Sequence, residues 1–189
     1  MLNIGVFGAG HLGKIHLKLL DKSKYYNLIG FYDSNKDNAI KTSNELNYIS
    51  FESPEELISK CDVIDIVTPT SFHHKIALLA LKNKCHVFIE KPITKTLDEA
   101  KELIELSFLN NLKGQVGHVE RFNPAFRESK PRITNPMFIE SHRLAEFNPR
   151  GTDVPVVLDL MIHDIDIILS LVKSPIKSIN ASGVKVISK

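Results

Sequence analysis

The residues best spaced for chemistry are Gly8-Ala9-Gly10-His11-Leu12-Gly13, a GxGxxG set that follows an apolar run and opens a helical pattern. Glycines also make ordinary turns, but in this context the spacing fits a dinucleotide. Gly8 makes the tight turn, Gly10 lets the backbone approach a pyrophosphate, and Gly13 lets the helix pack closely on the strand. The phosphates sit in the loop that includes His11 and Leu12, on a helix N-terminus where free N–H groups and the dipole favour anions. Asp33 ends the next apolar run, about 20 residues beyond the last glycine, where a carboxylate accepts hydrogen bonds from ribose hydroxyls. It favours NAD over NADP, because a 2′-phosphate would meet its charge; Lys36 nearby softens the repulsion, so NADP remains possible. The alternative for Asp33 is a helix N-cap within DSNKDN.

Two further groups carry reactive side chains. Glu90-Lys91-Pro92 follows a strand-like run, at the carboxyl edge where open α/β sheets bind ligands. Lys91 is thus placed to face a nicotinamide, and Pro92 restricts it to extended conformations; a solvated lysine at a strand end is the plainer alternative. In VVLDLMIHDIDIILSLV, Asp159, His163, Asp166 and Ser170 are spaced by four, three and four, which puts them on one helix face. A polar stripe on so apolar a helix faces water or a cleft.

The elements that position these residues alternate. Runs at 2 to 7, 27 to 32, 62 to 68 and 86 to 89 read as buried strands. Helical patterns lie between and after them, at about 11 to 22, 35 to 46, 54 to 60, 73 to 84 and 96 to 110. Parallel strands need crossover helices, so the pattern predicts a doubly wound parallel α/β sheet through about residue 120. A Pro-, Asn- and Arg-rich stretch then marks a domain boundary. Beyond it lie a possible strand in MFIESHRLAEFN (residues 137 to 148), a helix over 155 to 172, and an alternating, strand-like run in IKSINASGVKVIS (residues 176 to 188).

Taken in order, GAGHLGKIH, VTPTSFHHKIALLAL, FIEKPIT, GHVERFNPAF and LDLMIHDIDI resemble the Gfo/Idh/MocA oxidoreductases, the family of glucose-fructose oxidoreductase and inositol dehydrogenase. The resemblance covers essentially the whole chain. It implies a Rossmann domain over 1–120, followed over 121–189 by the beginning of an α+β open-sheet domain for substrate and subunit contacts. It also implies that Lys91 is the catalytic-site lysine, with Asp159 and His163 on the helix facing the nicotinamide. His163 is then the base for a substrate hydroxyl, Lys91 stabilises alkoxide character, and Asp159 orients the substrate or the histidine. Thr68, Pro69 and His73 are expected to border the cofactor through backbone contacts, with Glu90 beside it. His118, Arg121 and Asn123 are expected to line the substrate cleft, and the GHVERFNP form resembles members that handle nucleotide-linked amino sugars. A surface or interdomain ion pair is the other reading of Arg121. Family members are usually much longer, so the chain is expected to be C-terminally shortened, with an open sheet edge.

Composition narrows the classes. With 43% hydrophobic and 24% charged residues the chain reads as globular, and a net charge of +2 without a basic stripe argues against nucleic acid. Cys61 and Cys85 lack CxxC spacing and read as reduced. No leader pattern or membrane-length apolar run is present, which points to a cytoplasmic protein. The histidines form no convincing ligand set, so no metal is expected. The sequence reading is therefore an NAD(P)-dependent dehydrogenase of a sugar, cyclitol or nucleotide-sugar hydroxyl, a homo-oligomer with a small sugar-like substrate. The alternative is a non-catalytic module that binds a dinucleotide or self-associates.

Overall fold

A computed structural model describes residues 1–144 and 154–184. Its centre is a parallel sheet of β1 (Leu2–Phe7), β2 (Tyr26–Tyr32), β3 (Val63–Ile66), β4 (His86–Glu90) and β5 (Gly114–Gly117), in the order β2-β1-β3-β4-β5. Outside β2, a single parallel bridge from Phe31 to Ser50 stands where a sixth strand would pair. The crossovers contain α1 (His11–Asp21), α2 (Lys36–Leu46), α3 (Pro54–Ile58), α4 (His73–Lys82) and α5 (Leu97–Leu109). Local signals set their ends. Ser53 caps α3 ahead of Pro54, and Thr96 with Glu99 closes a capping box at the start of α5.

Side-chain alternation along the strands divides the core into two layers. Phe7, Ile64, Ile66, Val87 and Ile89 pack with Leu57, Leu81 and Leu103 on one side. Val6 and Phe31 pack with Leu17 of α1 and Ala39 of α2 on the other. Between Ile64 and Ile66, Asp65 therefore projects toward the α1 side, although it is only 3% exposed.

Past β5 the chain is far less buried. A 3-10 turn (Val119–Phe122) leads to α6 (Pro124–Ser129), and a π-helical turn (Val157–Met161) leads directly to α7 (Ile162–Leu171). The helix expected over 155 to 172 is thus present, with a wider first turn. The two later strands are not found among the described residues: 137–144 and 176–184 have no ladder partner, and a strand exists only through a neighbour's amides and carbonyls. The rest of both runs, at 145–148 and 185–188, lies outside the described residues. No second sheet is present among the described residues, so the apolar side of α7 has none to pack on.

Candidate active site

The turn after β1 needs its glycines. Gly8 has φ +93°, and a side chain there would run into the Val67 carbonyl. A Cβ on Gly13 would fall 1.9 Å from the Gly8 carbonyl oxygen, so only glycine lets α1 start this close to the strand. At Gly10 the same construction meets nothing within 4 Å, which leaves open space against the backbone. No side chain caps the α1 N-terminus and no acid occupies its first turn, so its amides can receive an anion. Asp33 accepts from the Ala9 amide at 2.9 Å, the Asn35 amide at 2.8 Å and the Asn38 side-chain amide at 2.7 Å. The cap of α2 is Asn35, which corrects the capping alternative for Asp33. An open cradle, free amides and a carboxylate at the end of β2 together fit a dinucleotide.

At the carboxyl edge of the sheet, the Thr68 hydroxyl is buried without a partner beside Pro69. The His73 side chain is turned inward behind this loop. It is 1% exposed, and its Nδ1 and Nε2 lie 2.9 Å from the carbonyl oxygens of Pro92 and Thr68 respectively. Through these two contacts His73 braces the Lys91 turn against the β3 loop. The Lys91–Pro92 bond is cis.

Lys91 reaches the helix stripe. Its Nζ donates to the Asp159 carbonyl oxygen at 2.7 Å and to Asp159 Oδ1 at 3.2 Å, joining β4 to the π-helical turn. His163 lies one turn further on, with a buried and unpartnered Nδ1. Burial, and then the charges of Lys91 and Arg143, push its pKa below the usual 6.5. His118 is similar: its Nδ1 is unpartnered, and burial lowers its pKa against the opposing charge of Asp166.

The rest of the stripe is occupied. Asp166 is gripped at both oxygens by Arg121, with Nε to Oδ2 at 2.6 Å, so the guanidinium expected to meet substrate is held in an ion pair. Ser170 turns back to its own helix, donating to the Ile167 carbonyl. Asn123 is exposed, and its side-chain oxygen caps α6 ahead of Pro124. A cavity of about 400 Å³ beside β5 is lined by His118, Arg121 and Phe122, among others.

Two groups escaped the sequence reading. Arg143 clamps Asp164 at 2.6 and 2.9 Å, a pairing that sequence separation conceals. His16 meets Asp65 at 2.9 Å, and here a signal existed: an acid inside the apolar strand VIDI needs a partner. Among the described residues no cluster of three or more His, Cys, Asp or Glu is placed to hold a metal, and no helix is long and apolar enough to cross a membrane. Both cysteines are free, and burial pushes the Cys61 thiol up to about 12.

Residues 2–118 match the family model for Gfo/Idh/MocA proteins, described as "Oxidoreductase family, NAD-binding Rossmann fold". The chain belongs to this family. It is 35% identical over 188 residues to UDP-N-acetylglucosamine 3-dehydrogenase of Acidithiobacillus ferrooxidans, across 99% of this chain and 59% of that enzyme. It is also 30% identical over 191 residues to scyllo-inositol 2-dehydrogenase (NAD(+)) of Bacillus subtilis, across 94% of this chain and 56% of the relative. A solved structure of the Acidithiobacillus enzyme superposes with a TM-score of 0.91, covering 99% of this chain and 61% of that one. The Gfo/Idh/MocA chain thus spans less than two thirds of the relatives it matches, and NAD is the dinucleotide named for its family.

Proposed function

We propose that this protein carries the cofactor site and catalytic groups of an NAD-dependent dehydrogenase acting on a sugar hydroxyl, with a nucleotide-linked amino sugar as the substrate class. The Lys91–Asp159 pair carries the reading, because it joins the nucleotide-binding sheet to the helix that bears His163. NAD, when bound, supplies the hydride acceptor. Gly8, Gly10, His11, Leu12 and Gly13 would hold its pyrophosphate, Asp33 its ribose, and Thr68, Pro69 and Glu90 would border it. Of the three protons on the Lys91 amine, two are directed at Asp159, which leaves one for the substrate oxygen. Asp159 is thus the group that orients Lys91. His163, neutral at pH 7 because its pKa is lowered, takes the hydroxyl proton while the ammonium stabilises developing negative charge.

The nucleotide-sugar choice rests on the Acidithiobacillus relative and on the cavity next to His118 and Arg121, whose lining does not include Lys91 or His163. The division into a Rossmann domain over 1–120 and a substrate domain over 121–189 belongs to the same proposal, as does a cytoplasmic location. So does self-association through Met161 of the π-helical turn and Ile165 and Leu169 of α7, all exposed. The deciding experiment is NAD reduction by this chain, and by a version extended to relatives' length, with UDP-N-acetylglucosamine, scyllo-inositol and free N-acetylglucosamine. Turnover of the first alone supports the reading. Preference for the inositol overturns the substrate class, and dinucleotide binding without turnover of any sugar by either form favours the binding-module alternative.

A further inference from the structure

A buried cluster outside the proposed catalytic groups lies on the α1 side of the sheet. His16, about one turn beyond Gly13, has Nδ1 2.9 Å from Asp65 Oδ2 and Nε2 3.5 Å from Glu90 Oε1. A carboxylate in the middle of a strand is costly to bury unless it is paired, and Asp65 Oδ1 has no partner at all. An apolar residue would serve the sheet better, so the acid calls for another explanation. The cluster leads to Lys91. Glu90 Oε2 accepts the Lys91 amide at 3.3 Å, and its carboxylate lies over Gly117, where a Cβ would come within 2.6 Å of Oε1. Glu90 is therefore confined between α1 and the end of β5, immediately before His118.

We propose that His16 and Asp65 are positioning residues for Lys91, acting through Glu90 to fix the end of β4, and that the proton on His16 makes this hold pH-dependent. The consequence for turnover rests on the dehydrogenase reading; the coupling itself does not. The charged groups facing His16 are Asp65 from β3 and Glu90 from β4, Lys91 acts on Glu90, and the His16 ring edge meets Phe88 at 6.0 Å. Burial pulls the His16 pKa down, but the Asp65 hydrogen bond and both carboxylate charges outweigh it and leave it raised. Asp65 and Glu90 are raised as well, chiefly by burial. The hold therefore needs a protonated His16 facing ionised carboxylates: it is present at pH 6.5 and is lost as pH rises through the raised folded His16 pKa.

The test uses the 189-residue chain. In an imidazole NMR titration His16 should titrate above 6.5, and in Asp65→Asn it should fall back toward 6.5. With ¹³C-methylated lysines, the Lys91 signal, assigned with Lys91→Arg, should follow the His16 titration and stop doing so in His16→Gln. In a form that turns over, His16→Gln should lower kcat roughly tenfold to a hundredfold, the cost of a small misplacement, with NAD affinity kept within about twofold. The fall in kcat above pH 6.5 should disappear with it. If His16→Gln does not fold, Asp65→Asn makes the same comparison. A Lys91 signal that ignores the His16 titration in the parent chain, or is unchanged in a folded variant, overturns the proposal. Because that signal needs no turnover, its failure is distinct from failure of the dehydrogenase reading.

Discussion

The sheet unit, residues 2–117, and the segment beyond it are held by different forces. The first buries two apolar layers around Phe7, Leu81, Ile64, Val6 and Phe31. In the second, Asp166 alone among the described residues is buried, and the π-helical turn and α7 are fixed by charges: Lys91 to Asp159, Arg121 to Asp166 and Arg143 to Asp164. Apolar burial is nearly indifferent to salt and pH, whereas paired charges respond to both. The proposed chemistry lies at the seam, so it should inherit the sensitivity of the weaker partner while the fold of the sheet stands.

Substitutions on either side of the seam can break or sharpen this contrast. The largest stability effect is expected from Leu81→Ala, which empties a fully buried position and should cost about 2–5 kcal/mol in urea unfolding. A loss below about 1 kcal/mol would show that the sheet layer is not the dominant source of stability. At the seam, Lys91→Ala should lower kcat on the order of 10²-fold in a form that turns over, with NAD still bound in calorimetry. The same assay run against pH should show kcat rising through a pKa below 6.5 set by His163, a limb that disappears in His163→Ala.

Asp166→Asn should leave global unfolding nearly unchanged but reduce amide-exchange protection of α7 roughly tenfold, the size of one charge-assisted hydrogen bond. Arg121 holds the Asp166 carboxyl below its usual 3.8, and Arg143 does the same for Asp164. A depressed carboxyl contributes stability above the unfolded pKa, so α7 protection should persist down to about pH 4 and fail as pH drops through the folded values. The smallest effect belongs to Asp33→Asn. It should reduce the preference for NAD over NADP about fivefold in calorimetry, the scale of an exposed charge interaction. An unchanged ratio would remove Asp33 as the ribose anchor.

The sequence by itself determined the sheet unit and its cofactor loop, because those signals are local. Strand runs such as 2 to 7 and 86 to 89, the Ser53-Pro54 start of α3 and the spacing of Gly8, Gly10 and Gly13 each act through neighbours within a few residues. The two later strands have no counterpart among the described residues, because alternation marks a face, whereas a strand requires a paired edge. Asn123 was legible as a polar residue near the cleft but not as a helix cap, and the ion pair of Arg121 was legible only as an alternative, without its partner Asp166. Only the tertiary structure decided which polar groups spend their hydrogen bonds on each other. It joined Lys91 to Asp159 across 68 positions, set His16 between Asp65 and Glu90, and left the Nδ1 atoms of His118 and His163 without partners. The physical reason is that a buried polar atom must find a partner in space, and distance along the chain carries no information about which one it finds.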